Sequence, residues 1–118
     1  MWLVKSKNSS KGAGIFISSN LSFILKQNNR LIQKYVENIL LLECLGMRKF
    51  DIRLWVLMKG SFDAKMYYYQ DFYGRVCSQP YKVDKESLNN SAIHLTNYAL
   101  NKDSYTSKGN KSGSVVFP

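Results

Sequence analysis

A chain of 118 residues is one domain or a piece of one, long enough to bury roughly 65% of the surface its unfolded form exposes. Seventeen basic residues against eight acidic ones give a formal charge of +9, which favours a polyanionic partner such as nucleotide phosphates, nucleic acid, an anionic membrane or an acidic protein tail. Cys44 and Cys77 form no C-x-x-C pair and have no histidine cluster beside them, which argues against zinc and a disulfide framework; with no signal-peptide or membrane-length apolar run, the expectation is an intracellular chain with reduced thiols.

Short strands dominate the predicted elements. Residues 2–5 are β-prone, a loop of mostly Ser, Lys, Asn and Gly fills 6–12, and residues 14–17 form a second strand, so the pair reads as a hairpin. Ser19 or Asn20 can cap a short helix whose Leu21, Ile24 and Leu25 share one face. Residues 30–36 read as strand, 39–42 as a brief apolar run, and 43–48 as a turn around Gly46. A long strand is predicted over 50–58, then strands over 64–69 and 74–78 in an antiparallel meander. Beyond Pro80 the pattern fades into polar loop, with one ordered stretch over 93–100. The predicted class is α+β with sheet predominating, a folded core over 1–102 and a mobile Ser-, Lys-, Gly- and Asn-rich tail over 103–118.

The strand over 50–58 carries an anomaly. Side chains alternate faces along a strand, so Phe50, Ile52, Leu54, Val56 and Met58 would make one apolar face. Lys49, Asp51 and Arg53 would then stand together on the other, either as a structural ion pair or as a site that grips a charged group. Lys5 with Ser9-Ser10-Lys11-Gly12-Ala13-Gly14 offers a loop whose backbone N–H groups could approach phosphates. No helix opens there with G-K-[ST], and taken alone the loop reads first as a plain hairpin turn. Gln33-Lys34-Tyr35-Val36 could present strand-edge backbone to a purine or be an ordinary strand.

His94-Leu95-Thr96-Asn97-Tyr98 sets a hydroxyl, an amide and the sole histidine in a loop-like setting, where binding residues concentrate. A lone histidine is more often a hydrogen-bonded structural residue than a catalyst. Arg75 could clamp a carboxylate in its planar fork or be a surface arginine. Tyr67, Tyr68, Tyr69, Phe72 and Tyr73 could stack bases, but the tyrosines cannot share one strand face and the basic residues form no stripe. Neither a nucleic-acid nor a membrane partner is expected.

In order and spacing, Trp-Leu-Val-Lys at 2–5, Ser-Ser-Lys-Gly-Ala-Gly-Ile at 9–15, Gln-Lys-Tyr-Val-Glu-Asn at 33–38, Lys-Phe-Asp-Ile-Arg at 49–53, Gly-Arg-Val at 74–76 and His-Leu-Thr-Asn-Tyr-Ala-Leu-Asn-Lys at 94–102 resemble the core of the tubulin–tyrosine ligase-like family. The resemblance covers 2–102 and implies part of an ATP-grasp ligase. Such an enzyme phosphorylates a carboxylate with ATP and lets an amino acid's amine attack the acyl phosphate; in this family the carboxylate belongs to tubulin.

By that resemblance Lys5, Lys11 and Gly12 would lie against the phosphates, and Gln33, Lys34, Tyr35 and Val36 would line the adenine. Lys49, Asp51, Thr96 and Asn97 would complete the nucleotide side, Arg53 would support the acyl-phosphate end as a catalytic group, and Arg75 and Tyr98 would hold the incoming amino acid. The chain departs from the family pattern at Ser6, Ala13, Ile39 and Ala99, where a proline, an arginine, a proline and a serine are usual. The family's Mg²⁺ ligands, an aspartate and a Glu-x-Asn pair, lie downstream of the His-Leu-Thr-Asn block, after which this chain has one acidic residue, Asp103. The expectation is therefore a truncated ligase, inactive alone, with metal ligands outside the chain.

Thr-Asn-Tyr at 96–98 resembles the glutamylase form, whereas Arg-Leu-Trp-Val-Leu at 53–57 and Ser-Gln-Pro-Tyr at 78–81 are similar to the glycylase branch. Glutamate is the leading amino acid and glycine the alternative, with a non-catalytic nucleotide- or microtubule-binding remnant as a third reading. The expected partner is tubulin or the microtubule through its acidic tail, in the cytoplasm at the cytoskeleton, with a cilium or flagellum as the candidate organelle.

Overall fold

The computed structural model describes residues 1–106 and 114–116. Strand β1 (Trp2–Ser6) is the middle of an antiparallel sheet, flanked by β2 (Ile15–Ser18) and β3 (Arg30–Lys34). Register places Leu3 opposite Ile17 on one side and Gln33 on the other. Leu3, Ile17 and Tyr35 are buried together, with Met1, Ile15, Tyr81, Leu88 and Leu95 packed against them. Tyr35 lies just past β3, yet its N–H still reaches the Met1 carbonyl at 3.1 Å.

Helix α1 (Leu21–Leu25) is capped by Asn20, whose side-chain oxygen accepts the Phe23 N–H at 3.0 Å. Of the three residues expected on one face of this helix, only Ile24 is buried, while Leu21 and Leu25 are exposed. The apolar run over 39–42 forms no strand. A short 3₁₀ turn, Glu43–Leu45, closes on Gly46 at φ +65°, which a glycine adopts at no steric cost.

Strand β4 (Arg48–Arg53) pairs antiparallel with β7 (Tyr73–Pro80), which pairs on its other edge with β8 (Ser114–Val116). Between them, β5 (Val56–Lys59) and β6 (Lys65–Tyr68) make a separate two-stranded ribbon. The single strand predicted over 50–58 is therefore two, broken at Leu54 and Trp55, because its halves pair with different partners. The predicted apolar face is not buried, since Ile52, Leu54, Val56 and Met58 are all exposed. The predicted meander also fails at its last step: β7 neighbours β4 and β8, not β6.

The region beyond Pro80, expected as loop, contains α2 (Ser91–His94), capped by Asn90, and α3 (Tyr98–Thr106). Asn101 explains how a polar stretch packs. It is fully buried, accepts the Ser78 N–H at 2.9 Å, and donates to the Leu95 and Asn97 carbonyls at 2.8 and 3.0 Å. The tail expected to be mobile over 103–118 begins as the last turn of α3 and includes β8; residues 107–113 and 117–118 lie outside the described residues.

Mixed α and β with mostly antiparallel strands agrees with the predicted class and with a partial ATP-grasp-like domain. Cys44 and Cys77 are free thiols. Among the described residues no helix is long and apolar enough to cross a membrane.

Candidate functional site

A cleft of about 290 Å³ opens where the β2-β1-β3 sheet meets β4 and the segment between α2 and α3. Lys5 enters from β1, one pleat repeat beyond Leu3 and on the same face. Gln33 and Lys34 come from β3, an outer strand of its sheet, with Tyr35 and Val36 just beyond it. Lys49 and Asp51 reach in from β4, again two residues apart on one face. Thr96 and Asn97 close the cleft from the loop before α3, and Leu3, Ile15 and Leu95 give it an apolar part.

Beneath it runs a polar network. Lys49 Nζ donates to the Tyr35 hydroxyl at 3.1 Å and lies 4.6 Å from that ring's centre. The same hydroxyl is 2.9 Å from His94 Nδ1, and Tyr35 and Tyr81 each meet the His94 ring edge to face. Burial lowers the Lys49 pKa, with Cys77 and Asp51 opposing the change. Burial, then the Tyr81 hydroxyl, raises Tyr35, and burial with the Lys49 charge lowers His94. Burial pushes the Cys77 thiol up to about 12. The arrangement holds the Lys49 ammonium against the Tyr35 hydroxyl at the cleft wall, with the Asp51 charge nearby.

Asp51 stands apart. Across β4 and β7 it faces Arg75 in register, and the guanidinium grips it twice, Nε to Oδ1 at 2.8 Å and Nη2 to Oδ2 at 2.6 Å. Thr96 Oγ1 adds a third bond to Oδ2 at 2.7 Å. Burial opposes ionisation of Asp51, but the bonds from Arg75 and Thr96 and the charges of Arg75 and Arg53 outweigh it and hold the carboxyl below its usual range. The bond to Asp51 raises Arg75 in turn, against its own burial.

On the far side of this pair lies a second cleft of about 500 Å³, lined by Lys11, Arg75, Asn97, Tyr98, Ala99 and Lys102. Asn97 belongs to both clefts. The loop carrying Lys11 leans on the start of α3: Gly12 sits at φ +90°, and a Cβ there would stand 2.6 Å from Leu100 Cδ1 and 3.1 Å from the Asn97 side chain.

A model of the tubulin-tyrosine ligase family matches residues 1–115. The chain belongs to the tubulin-tyrosine ligase family. It is similar to tubulin glycylase 3F of Tetrahymena thermophila, with 36% identity over 98% of this chain and 14% of that relative. It is also similar to tubulin polyglutamylase TTLL5 of Mus musculus, with 34% identity over 87% of this chain and 8% of that relative. A third relative, a probable beta-tubulin polyglutamylase of T. thermophila, is 33% identical over 94% of this chain and 9% of its own length. The chain thus spans a small part of each relative.

Within this family member, the residues expected on the nucleotide side converge on the first cleft, Lys11 and Gly12 excepted. Lys11 lines the second cleft instead, beside Arg75 and Tyr98, the residues expected to hold an amino acid. Arg53 lines neither cleft: it is exposed, with its guanidinium 5.5 Å from the centre of the Trp55 ring, and reaches the site only through its field at Asp51. His94 is the buried, hydrogen-bonded histidine that a lone histidine usually is.

Three contributors escaped the sequence reading: the Tyr35 hydroxyl, the Asp51–Arg75 pair and Lys102. The pair was within reach, since a carboxylate and an arginine on two predicted strands of one sheet are candidates for cross-strand pairing. Among the described residues no three His, Cys, Asp or Glu side chains gather where they could hold a metal ion.

Proposed function

We propose that this chain forms the nucleotide-side part of a ligase that uses ATP to join a free amino acid, glutamate first, to carboxylates of tubulin through an acyl phosphate. The convergence of Lys5, Gln33–Val36, Lys49 and Thr96–Asn97 from four separate segments into one cleft carries this reading. Leu3, Ile15 and Leu95 suit a purine face, and the outer edge of β3 suits its hydrogen-bonding rim. Lys5 and Lys49 suit phosphates, Lys49 being oriented by the Tyr35 hydroxyl. ATP supplies the phosphoryl group that activates a carboxylate. The chain's own part is to bind, orient and neutralise charge, with Arg75 and Lys11 in the second cleft suited to an amino acid's carboxylate.

The described acidic residues do not gather to hold Mg²⁺. The chain alone is therefore expected to bind nucleotide without turning over. Its partner in this reading is the acidic tail of tubulin or the microtubule, suited to a charge of +9, at the cytoskeleton in the cytoplasm or a cilium. The likeness to tubulin glycylases favours a second reading in which glycine is added.

Titrating the chain with ATP tests the proposal. Saturable binding is expected, weakened about tenfold or more by Lys49→Ala through loss of a partly buried charge contact. No binding by the wild type would overturn it. Isotope-labelled glutamate or glycine supplied with ATP, Mg²⁺ and tubulin is expected to stay free, and robust incorporation would show that the chain is catalytically complete.

A further inference from the structure

A lysine ammonium ends a flexible stem, so a lysine that must meet an anion at one place needs something to hold it. The lysines of the first cleft differ in this respect. Lys5 Nζ donates to the Gln33 side-chain oxygen at 2.6 Å in an exposed contact, and Lys34 pairs with Glu37 at 3.5 Å on the surface. Lys49 instead donates to the hydroxyl of the buried Tyr35 at 3.1 Å. Asp51, the carboxylate on the same face of β4, is already gripped by Arg75 and Thr96.

Tyr35 has little room to move. Its N–H is bonded to the Met1 carbonyl, it is buried with Leu3 and Ile17, and its ring meets that of His94 edge to face. Its hydroxyl has one hydrogen and two lone pairs. An ammonium can only donate, so Lys49 takes a lone pair and leaves the hydrogen for a second partner. Two acceptors are close. His94 Nδ1 is 2.9 Å away, and the Tyr81 oxygen can accept because its own hydrogen goes to the Glu37 carbonyl at 2.8 Å. An imidazole nitrogen is the stronger acceptor of the two. Burial and the Lys49 charge disfavour a second hydrogen on the His94 ring, which leaves Nδ1 able to accept.

We propose that Tyr35 is a positioning residue for Lys49: its hydroxyl, with the hydrogen directed at His94 Nδ1, fixes the ammonium at the wall of the first cleft. This rests on the nucleotide reading above. Tyr35 then acts on a phosphate through Lys49, and the chain Lys49–Tyr35–His94 ties the cleft to α2 behind it.

Tyr35→Phe removes the hydroxyl and keeps the ring, whose centre lies 4.6 Å from Lys49 Nζ. The experiment titrates wild type, Tyr35→Phe, Lys49→Ala and the double variant with ATP and with adenosine. Tyr35→Phe is expected to weaken ATP about fivefold and to leave adenosine within about twofold of wild type. The double variant should bind ATP no more than about twofold more weakly than Lys49→Ala does, since the hydroxyl acts through the ammonium.

A Tyr35→Phe chain that keeps wild-type ATP affinity, or loses ATP and adenosine alike, overturns the inference. So does a loss that adds in full to that of Lys49→Ala. If Tyr35→Phe fails to fold, the ring-nitrogen NMR shifts of His94 in the wild type carry the test. A hydrogen on Nε2, with Nδ1 bare, supports the inference. A hydrogen on Nδ1 makes that nitrogen a donor, sends the Tyr35 hydrogen elsewhere and overturns it. A wild type that binds no ATP removes the proposed function itself and this inference with it, whereas ATP binding indifferent to the Tyr35 hydroxyl removes this inference alone.

Discussion

The β1–β2 pair and the β5-β6 ribbon are built from the same kind of residue and end in opposite environments. Val4 and Ile17 are 0 and 5% exposed, whereas Leu57, Met58 and Met66 are 66, 66 and 74% exposed. Both are antiparallel, and both place apolar residues opposite one another in register. The difference is the neighbours. Strand β1 has a strand on each edge and Tyr35, Tyr81, Leu88 and Leu95 packed near it, while β5 and β6 pair with each other in a two-stranded sheet.

Apolar content supplies the drive to bury, but layers decide what is buried. Charges follow the same rule. Beside the sheet, Lys49 and Asp51 are held by Tyr35, Arg75 and Thr96; on the ribbon, Lys59 and Lys65 face each other across the strands.

The largest expected effect comes from Asn101→Ala. One fully buried side chain bonds the Ser78 N–H and the Leu95 and Asn97 carbonyls, so its removal strands the Ser78 N–H and the Leu95 carbonyl and leaves the Asn97 carbonyl with the Leu100 N–H. A loss on the order of 3 kcal/mol in urea unfolding is expected. A loss below about 1 kcal/mol, within the range of ordinary substitutions, would mean that α3 is not held to β7 through this residue.

Next in size is Gly12→Ala. The left-handed backbone and the crowding of Leu100 and Asn97 are expected to cost about 1–2 kcal/mol. Because Asn97 lines both clefts, ATP and glutamate affinities should fall together, which titration with each ligand reads.

A smaller effect appears with pH. Burial lowers the His94 pKa below its ordinary 6.5, so between those two values the unfolded chain binds a proton that the folded chain refuses. The associated stability is present above pH 6.5 and is lost as pH falls toward the lowered value, with a slope of at most about 1.4 kcal/mol per pH unit. Urea midpoints should fall from pH 7.5 to pH 5, and His94→Gln should flatten that fall. A wild-type midpoint independent of pH over this range would show His94 charging freely in the folded state.

Most strands were legible from alternation and loop chemistry, and the Asn20 cap from residue type alone. So was the set of residues that meets in the first cleft, because sequence blocks bring their chemistry with them wherever the chain folds. What could not be read was pairing. Whether the apolar run after Arg53 continues β4 or starts a new ribbon depends on partners elsewhere in the chain, and local pattern is the same in both cases. The Asp51–Arg75 bond needs the β4–β7 register, which a shift at Arg48 and Phe50 adjusts. Helix α3 was hidden because its anchor, Asn101, is polar where a periodic reading looks for an apolar residue.

The smallest expected effect is also the sharpest test of the comparison. Met58 and Met66 are cross-strand partners on the ribbon, and both side chains face water. Replacing both with serine removes apolar area that folding does not bury, so the hydrophobic term has nothing to lose. What remains is a cross-strand contact worth roughly 0.2–1 kcal/mol, partly kept by the new residues. The unfolding free energy should therefore move by no more than about 0.5 kcal/mol, and self-association should fall, since an exposed apolar ribbon with open edges invites other chains. A loss above about 2 kcal/mol, the size of a core truncation, would show that these methionines are covered in solution, and the two regions would then differ in nothing but which surfaces cover them.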